Sequence, residues 1–143
     1  KFIIELNNLI INKTEEIKIA EEELGDVERI RLIEPLDVIA FHNIMSRSYM
    51  VMTDSGGIQE EAPALGKPTL VMRNTTERPE GVIAGTLKLV GTRKENIVSA
   101  MKELLTNQDV YYQMSETKNP YGDGKASKYI LQVLLKKWGN EKC

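Results

Sequence analysis

YMVMTDSGGIQEEAPALGKPTLVM, residues 49–72, decides the fold. The apolar run Tyr49-Met50-Val51-Met52 meets the turn Thr53-Asp54-Ser55-Gly56-Gly57, and the spacing that follows predicts a helix from about Ile58 to Leu65. Gly66-Lys67-Pro68 then turns the chain into a second apolar run, Thr69-Leu70-Val71-Met72. Strands this short and this apolar suit a parallel pair, whose faces are both covered and whose ends need a crossover helix. The stretch is one βαβ unit, with Pro63 expected to shorten or bend its helix by removing a backbone donor.

Working outward, the same alternation continues in both directions. Upstream, Val27 to Ile33 reads as a strand ended by Pro35, and Asp37 as the cap of a helix carrying Val38, Ile39, Phe41, His42 and Met45. Further back, Phe2, Ile3, Leu6, Leu9 and Ile10 recur at helical spacing, Ile17-Lys18-Ile19 reads as a short strand, and Glu21 to Leu24 as a helix end stopped by Gly25. Downstream come a strand at Leu87 to Val90, an amphipathic helix through Ile97, Val98, Met101, Leu104 and Leu105, and a short helix at Val110 to Met114. After the turn-rich Asn119 to Gly124, a terminal helix runs from Ala126 to Trp138. The expectation is an α/β protein: a Rossmann-like parallel sheet with helices on both faces, residues 1–143 forming a single domain. The predicted strand at Ile17–Ile19 and the helix ending at Leu24 run together, so either a connecting loop is deleted or residues are absent from the sequence near Ile19-Ala20, the second fitting better the room that a parallel crossover needs.

Composition narrows the function classes. A chain of 143 residues with 41% hydrophobic and 28% charged residues has material for one core and too little for two full domains. A net charge of −2 gives no general attraction to nucleic acid or an anionic membrane, and no run approaches the length of a membrane span. The single cysteine, Cys143, is compatible with a reducing cytoplasm, the expected location. No metal-ligand cluster and no G-x-G-x-x-G spacing is visible, so neither a metal nor a dinucleotide cofactor is expected.

The turn after the first apolar strand is the candidate site, because ligands of open parallel sheets bind beyond the carboxyl ends of the strands. Gly56 and Gly57 permit close backbone approach, and the free N–H groups opening the next helix suit a phosphate, with Ser55 adding a hydroxyl. Ser55 as a plain helix cap, with the glycines making only a tight turn, explains a lone SGG equally well. Glu61 falls one helical turn after Gly57; it reads as an acceptor for a ligand diol such as a ribose, or, from pattern alone and with better odds, as a solvated helix acid. Arg78, in the polar loop Arg73 to Glu80, can reach a diphosphate with its planar charged fork or pair with Glu77 or Glu80 at the surface. Phe41, read alone, is a core residue of its helix, and His42 a partly buried structural histidine.

The unbroken string DSGGIQEEAPALGKPTLVMRNTTERPEG, Asp54 to Gly81, resembles the matching stretch of non-hydrolysing bacterial UDP-N-acetylglucosamine 2-epimerases. Ile33 to Asp37, Ala84 to Thr86, Leu89 to Thr92 and Asn119 to Gly124 extend the resemblance over about Val27 to Leu134. It implies two Rossmann-like domains facing a cleft, as in B-type glycosyltransferases, with this chain the carboxy-terminal, UDP-holding one and a fragment of a larger enzyme. It also implies that Ser55, Gly56 and Gly57 contact the diphosphate, Glu61 the ribose hydroxyls, Arg78 the UDP, and Phe41 the uracil. The implied reaction interconverts UDP-N-acetylglucosamine and UDP-N-acetylmannosamine by eliminating UDP and adding it back. The family's acid–base carboxylates and its HRRE segment have no counterpart here, so no catalytic residue is expected in this chain, and UDP enters as part of the substrate. Whole members are expected to be homodimers. Two other readings stay open: a glycosyltransferase of the same architecture, separated by an acceptor cleft, and a non-catalytic sugar-nucleotide sensor, separated by a translation start next to Lys1.

Overall fold

The computed structural model describes the backbone of residues 2–5 and 13–138 and the side chains of residues 18–138. The chain divides into two compact units, Lys1–Ile44 and Met45–Cys143. All strand pairings among the described residues are parallel.

In the first unit, β1 (Phe2–Glu5) pairs in parallel with β2 (Ile30–Ile33), and the connection contains α1 (Lys13–Leu24). Two expectations fail here. Phe2 and Ile3 lie in a strand, because three successive apolar residues suit a pleated ribbon as well as a helix and periodicity cannot separate the two over so short a run. Leu6, Leu9 and Ile10 of the predicted helix lie outside the described residues. Ile17-Lys18-Ile19, predicted as a strand, lies inside α1, whose flanking glutamates favour helix. Ile19 and Glu21 both lie within α1, so no strand-to-helix connection falls between them. Gly25 does stop α1, its N–H donating to Glu21 O at 2.9 Å.

The helix α2 (Val38–Arg47) starts where Asp37 predicts. Asp37 Oδ1 accepts from Ala40 N–H at 2.9 Å, the side-chain cap that satisfies a donor with no partner within the helix.

The second unit is built on a three-stranded sheet in the order β3 (Val51–Thr53), β4 (Thr69–Val71), β5 (Leu87–Leu89). Thr69, Leu70 and Val71 of the central β4 are all completely buried, as expected of a strand with neighbours on both edges and cover on both faces. Leu70 packs with Val90, Ala100, Leu104 and Met114, so α5 (Lys94–Thr106) and α6 (Gln108–Ser115) close one side of the sheet. Met50, Met52, Met72, Ile97, Met101 and Val110 border this core. The two-residue repeat of a strand sends Thr69 and Val71 to the opposite face.

The βαβ unit read from the sequence is present as β3, α3 (Ile58–Ala64) and β4. Pro63 shortens α3 rather than bending a longer helix: the chain leaves it through Gly66 at φ 66°, with Gly66 N–H donating to Pro63 O at 3.0 Å. A second short helix, α4 (Pro79–Ala84), was not expected from the sequence. It has Pro79 at its start and Gly85 at φ 88° after its end, but six residues are too few to show a period. Gly81 lets α4 lie close on β5, since a Cβ there would stand 2.6 Å from Leu87 Cδ1. The terminal helix α7 (Ala126–Trp138) matches its predicted bounds.

Candidate functional site

Because β3 and β4 are parallel neighbours, the segments leaving their carboxyl ends emerge side by side. Met72 N–H donates to Thr53 O at 2.9 Å, carrying the ladder to the point where the turn and the second loop part. Thr53 is buried and its hydroxyl accepts from Ser55 N–H at 3.0 Å, which bends the chain out of β3. Ser55 O then accepts from Gln59 N–H at 3.3 Å, and Gly57 is helical at φ −65°, ψ −46°. No side chain caps the helix at Gly57, so the capping reading of Ser55 finds no support there.

The two glycines have distinct surroundings. A Cβ on Gly56 would collide with the Glu77 carboxylate of the following loop. At Gly57 the same position lies 3.9 Å from Glu61 Oε1 and 4.0 Å from Ser55 Oγ, so these two oxygens flank the turn. Glu61 is exposed, and its N–H donates to Gly57 O at 3.1 Å, one helical turn back as the spacing predicts.

Arg78 joins this group from the β4–α4 loop. Its Nε donates to Glu60 Oε1, the residue beside Glu61, and its NH1 donates to Glu77 O at 3.2 Å. The sequence offered Glu77 or Glu80 as ion-pair partners; the carboxylate that pairs with Arg78 instead comes from α3, 18 positions earlier. The bond to Glu60 pushes the guanidinium still further above its ordinary range, against the opposing effect of desolvation. Glu77 pairs with Arg73 at 2.9 Å. Its carboxyl is held below its ordinary value by its own backbone N–H first, and then by the nearby Arg73 and Arg78 charges.

Three further residues hold the loop, and none was marked in the sequence. The Thr76 hydroxyl donates to Oε1 of the fully buried Gln59 and accepts from Arg78 N–H at 3.0 Å. Tyr121, from the turn-rich segment before α7, donates its hydroxyl to Arg78 O at 3.3 Å. Burial raises the Tyr121 phenol, so it stays a donor throughout the neutral range. Thr76 was discoverable: a threonine two residues before a loop arginine is the spacing of a side-chain turn. Gln59 and Glu60 carry no such signal, since their partners are set by the packing of two separate elements.

Ser55, Gly56, Gly57 and Glu61 thus lie around one turn at the carboxyl end of β3, and Arg78, from the loop after β4, reaches Glu60, the residue beside Glu61. Two glycines, a hydroxyl, a helix-borne acid and a braced guanidinium can together meet a ligand with an anionic part and a hydroxyl-bearing part. Phe41 belongs to the first unit; it is half-buried on α2, with its ring centroid 6.3 Å from that of the equally half-buried His42. Among the described residues no group of three or more His, Cys, Asp or Glu side chains is arranged to hold a metal ion, and no helix is long and apolar enough to cross a membrane.

Comparison with known proteins gives this cluster a context. A family model described as UDP-N-acetylglucosamine 2-epimerase matches residues 7–135. The Bacillus subtilis UDP-N-acetylglucosamine 2-epimerase is 58% identical over 123 residues, covering 86% of this chain and 32% of the relative. A UDP co-structure of Staphylococcus aureus MnaA superposes with a TM-score of 0.83 at 52% identity, covering 90% of this chain and 35% of that one. The Neisseria meningitidis UDP-GlcNAc 2-epimerase bound to UDP-GlcNAc superposes with a TM-score of 0.84 at 45% identity, covering 94% of this chain and 36% of that one. The chain thus spans about a third of the length of the relatives it matches. With a family match over most of its residues and parallel α/β neighbours at high identity, the chain belongs to the UDP-N-acetylglucosamine 2-epimerase family.

Proposed function

We propose that residues 1–143 form the UDP-binding, carboxy-terminal domain of an enzyme that interconverts UDP-N-acetylglucosamine and UDP-N-acetylmannosamine by UDP elimination and re-addition. In this reading Ser55, Gly56 and Gly57 meet the diphosphate, Arg78 neutralises it, Glu61 accepts from the ribose hydroxyls, and Phe41 contacts the uracil. Elimination places charge on the departing diphosphate, and donors already aimed at that position lower the barrier without reorganising. The acid–base groups at the sugar come from outside this chain, so the chain alone binds UDP and turns over little. A second Rossmann-like domain across a cleft, a homodimeric whole enzyme and a cytoplasmic location belong to the same reading and are supported by the family resemblance.

The observation that supports it most is the Arg78–Glu60 contact, which ties the second loop to the helix that carries Glu61 and follows the glycine turn. Calorimetric titration of UDP into the chain tests it. Arg78→Ala and Glu61→Ala are each expected to weaken binding by about 1.5 to 3 kcal/mol, the range for hydrogen bonds to charged groups. Unchanged affinity in both variants would falsify the site.

A further inference from the structure

We infer that Thr76, anchored on the buried Gln59, is a positioning residue that sets Arg78 for its anionic ligand. The inference rests on the UDP-binding reading above and deepens it.

Arg78 stands at the junction between the β4–α4 loop and α4, with a non-helical backbone at φ −122°, ψ 58° and no side-chain cap. A junction residue of this kind, in a loop whose neighbours Asn74, Thr75, Glu77, Pro79 and Glu80 are exposed, has little packing to hold it. Its position is set by polar ties instead. Arg78 N–H donates to Thr76 Oγ at 3.0 Å, and the same hydroxyl gives its proton to Gln59 Oε1. One hydroxyl thus serves as acceptor and donor at once and hangs the arginine backbone from a completely buried amide on α3. Exchanging the amide's oxygen and nitrogen would keep the tie, since Nε2 would then donate to Thr76 Oγ. In the present orientation Gln59 Nε2 has no partner among the described residues, so Thr76 is the only hydrogen-bond partner recorded for that side-chain amide.

The consequence is preorganisation. An arginine left free in a loop must give up its rotamer freedom when it meets a phosphate, whereas one held at its backbone by Thr76 and at Nε by Glu60 has already done so. The two adjacent residues Gln59 and Glu60 hold Arg78 at its backbone and at Nε, and Glu77 O accepts from NH1, so NH2 is the part of the fork left to the ligand.

The test compares Thr76→Val, which keeps the shape and removes the hydroxyl, with Thr76→Ser, which restores it, and with Arg78→Ala, all in the full chain titrated with UDP. Valine should weaken UDP binding about tenfold, as expected for one or two lost hydrogen bonds, with serine returning to near the parent affinity. In nuclear magnetic resonance spectra the Arg78 Nε–H signal should lose its dispersion in the valine variant and regain it in the serine variant. Parent-like affinity and an unmoved signal in Thr76→Val, with Arg78→Ala still weakened, overturn the inference and leave the UDP site standing. Parent-like affinity in Arg78→Ala removes the UDP reading itself. If Thr76→Val does not fold by circular dichroism, Thr76→Ala takes its place. Unfolding of both also overturns the inference, because the hydroxyl would then serve the fold and not the arginine.

Discussion

The floor of the second unit and its rim are built from the same strands on opposite principles. On the floor, Leu70, Val90, Leu104 and Met114 exclude water and depend on shape and area. On the rim, the segments leaving β3 and β4 are joined by hydrogen bonds and ion pairs, and the paired side chains of Arg78 and Glu60 are 35% and 41% exposed. Ion pairs at that exposure contribute about 0 to 1 kcal/mol each, so the rim does not hold the fold together. What it contributes is geometry. The difference teaches that stability and binding can be damaged separately in this molecule, and substitutions in either region test the separation.

The largest effect is expected from Leu70→Ala, which opens a cavity between β4 and α5. It should cost about 2 to 5 kcal/mol in chemical denaturation while the folded fraction keeps its UDP affinity. A loss below about 1 kcal/mol would deny Leu70 its central place in the core. Gly81→Ala probes the border of the two regions. Its new Cβ would meet Leu87 at 2.6 and 2.7 Å, and also the Tyr121 hydroxyl that donates to Arg78 O. Overpacking of this kind costs about 1 to 3 kcal/mol, and here UDP binding should weaken as well, unlike in Leu70→Ala. If stability falls and affinity does not, Tyr121 does not link floor to rim.

Glu77→Gln belongs wholly to the rim and should change stability least. The Glu77 carboxylate lies against Gly56, so removing its charge should tighten UDP binding a few-fold at low salt and less at high salt, where screening weakens the repulsion. Weaker binding at both salt concentrations would assign Glu77 to holding the loop instead. Its pH signature is the smallest effect. The Glu77 carboxyl is depressed in the fold, so its stabilising contribution is full above its unfolded-state value, ordinarily 4.5, and is lost as pH falls through the lower folded value. Thermal melts from pH 5 downward should therefore fall slightly more steeply for the parent than for Glu77→Gln, and parallel curves would remove from the account both the hydrogen bond from its own backbone N–H and the ion pair with Arg73.

How far the sequence reached follows the same division. The floor was readable because burial on both faces demands short apolar runs, and Thr69 to Met72 and Leu87 to Val90 have that form. Periodicity likewise marked α2, α5, α6 and α7. It failed at Phe2 and Ile3, read as the opening of a helical spacing that reaches Ile10, at the three-residue run Ile17 to Ile19, and where a helix had only six residues, at Pro79 to Ala84. On the rim, the glycine turn and Glu61 were readable because their spacing within one helical turn is local. The partner of Arg78 was not, since the nearby Glu77 and Glu80 looked equally suitable and the more distant Glu60 takes its Nε.

By itself, then, the order of residues determined the alternation of strands and helices, the position of the turn at Ser55-Gly56-Gly57 and the family to which the chain belongs. Only the tertiary structure decided that Gln59 would hold Thr76 and Glu60 would hold Arg78. Those contacts join residues 17 and 18 positions apart. No local periodicity reaches that far; it takes two parallel strands lying side by side to bring the segment after one against the helix after the other.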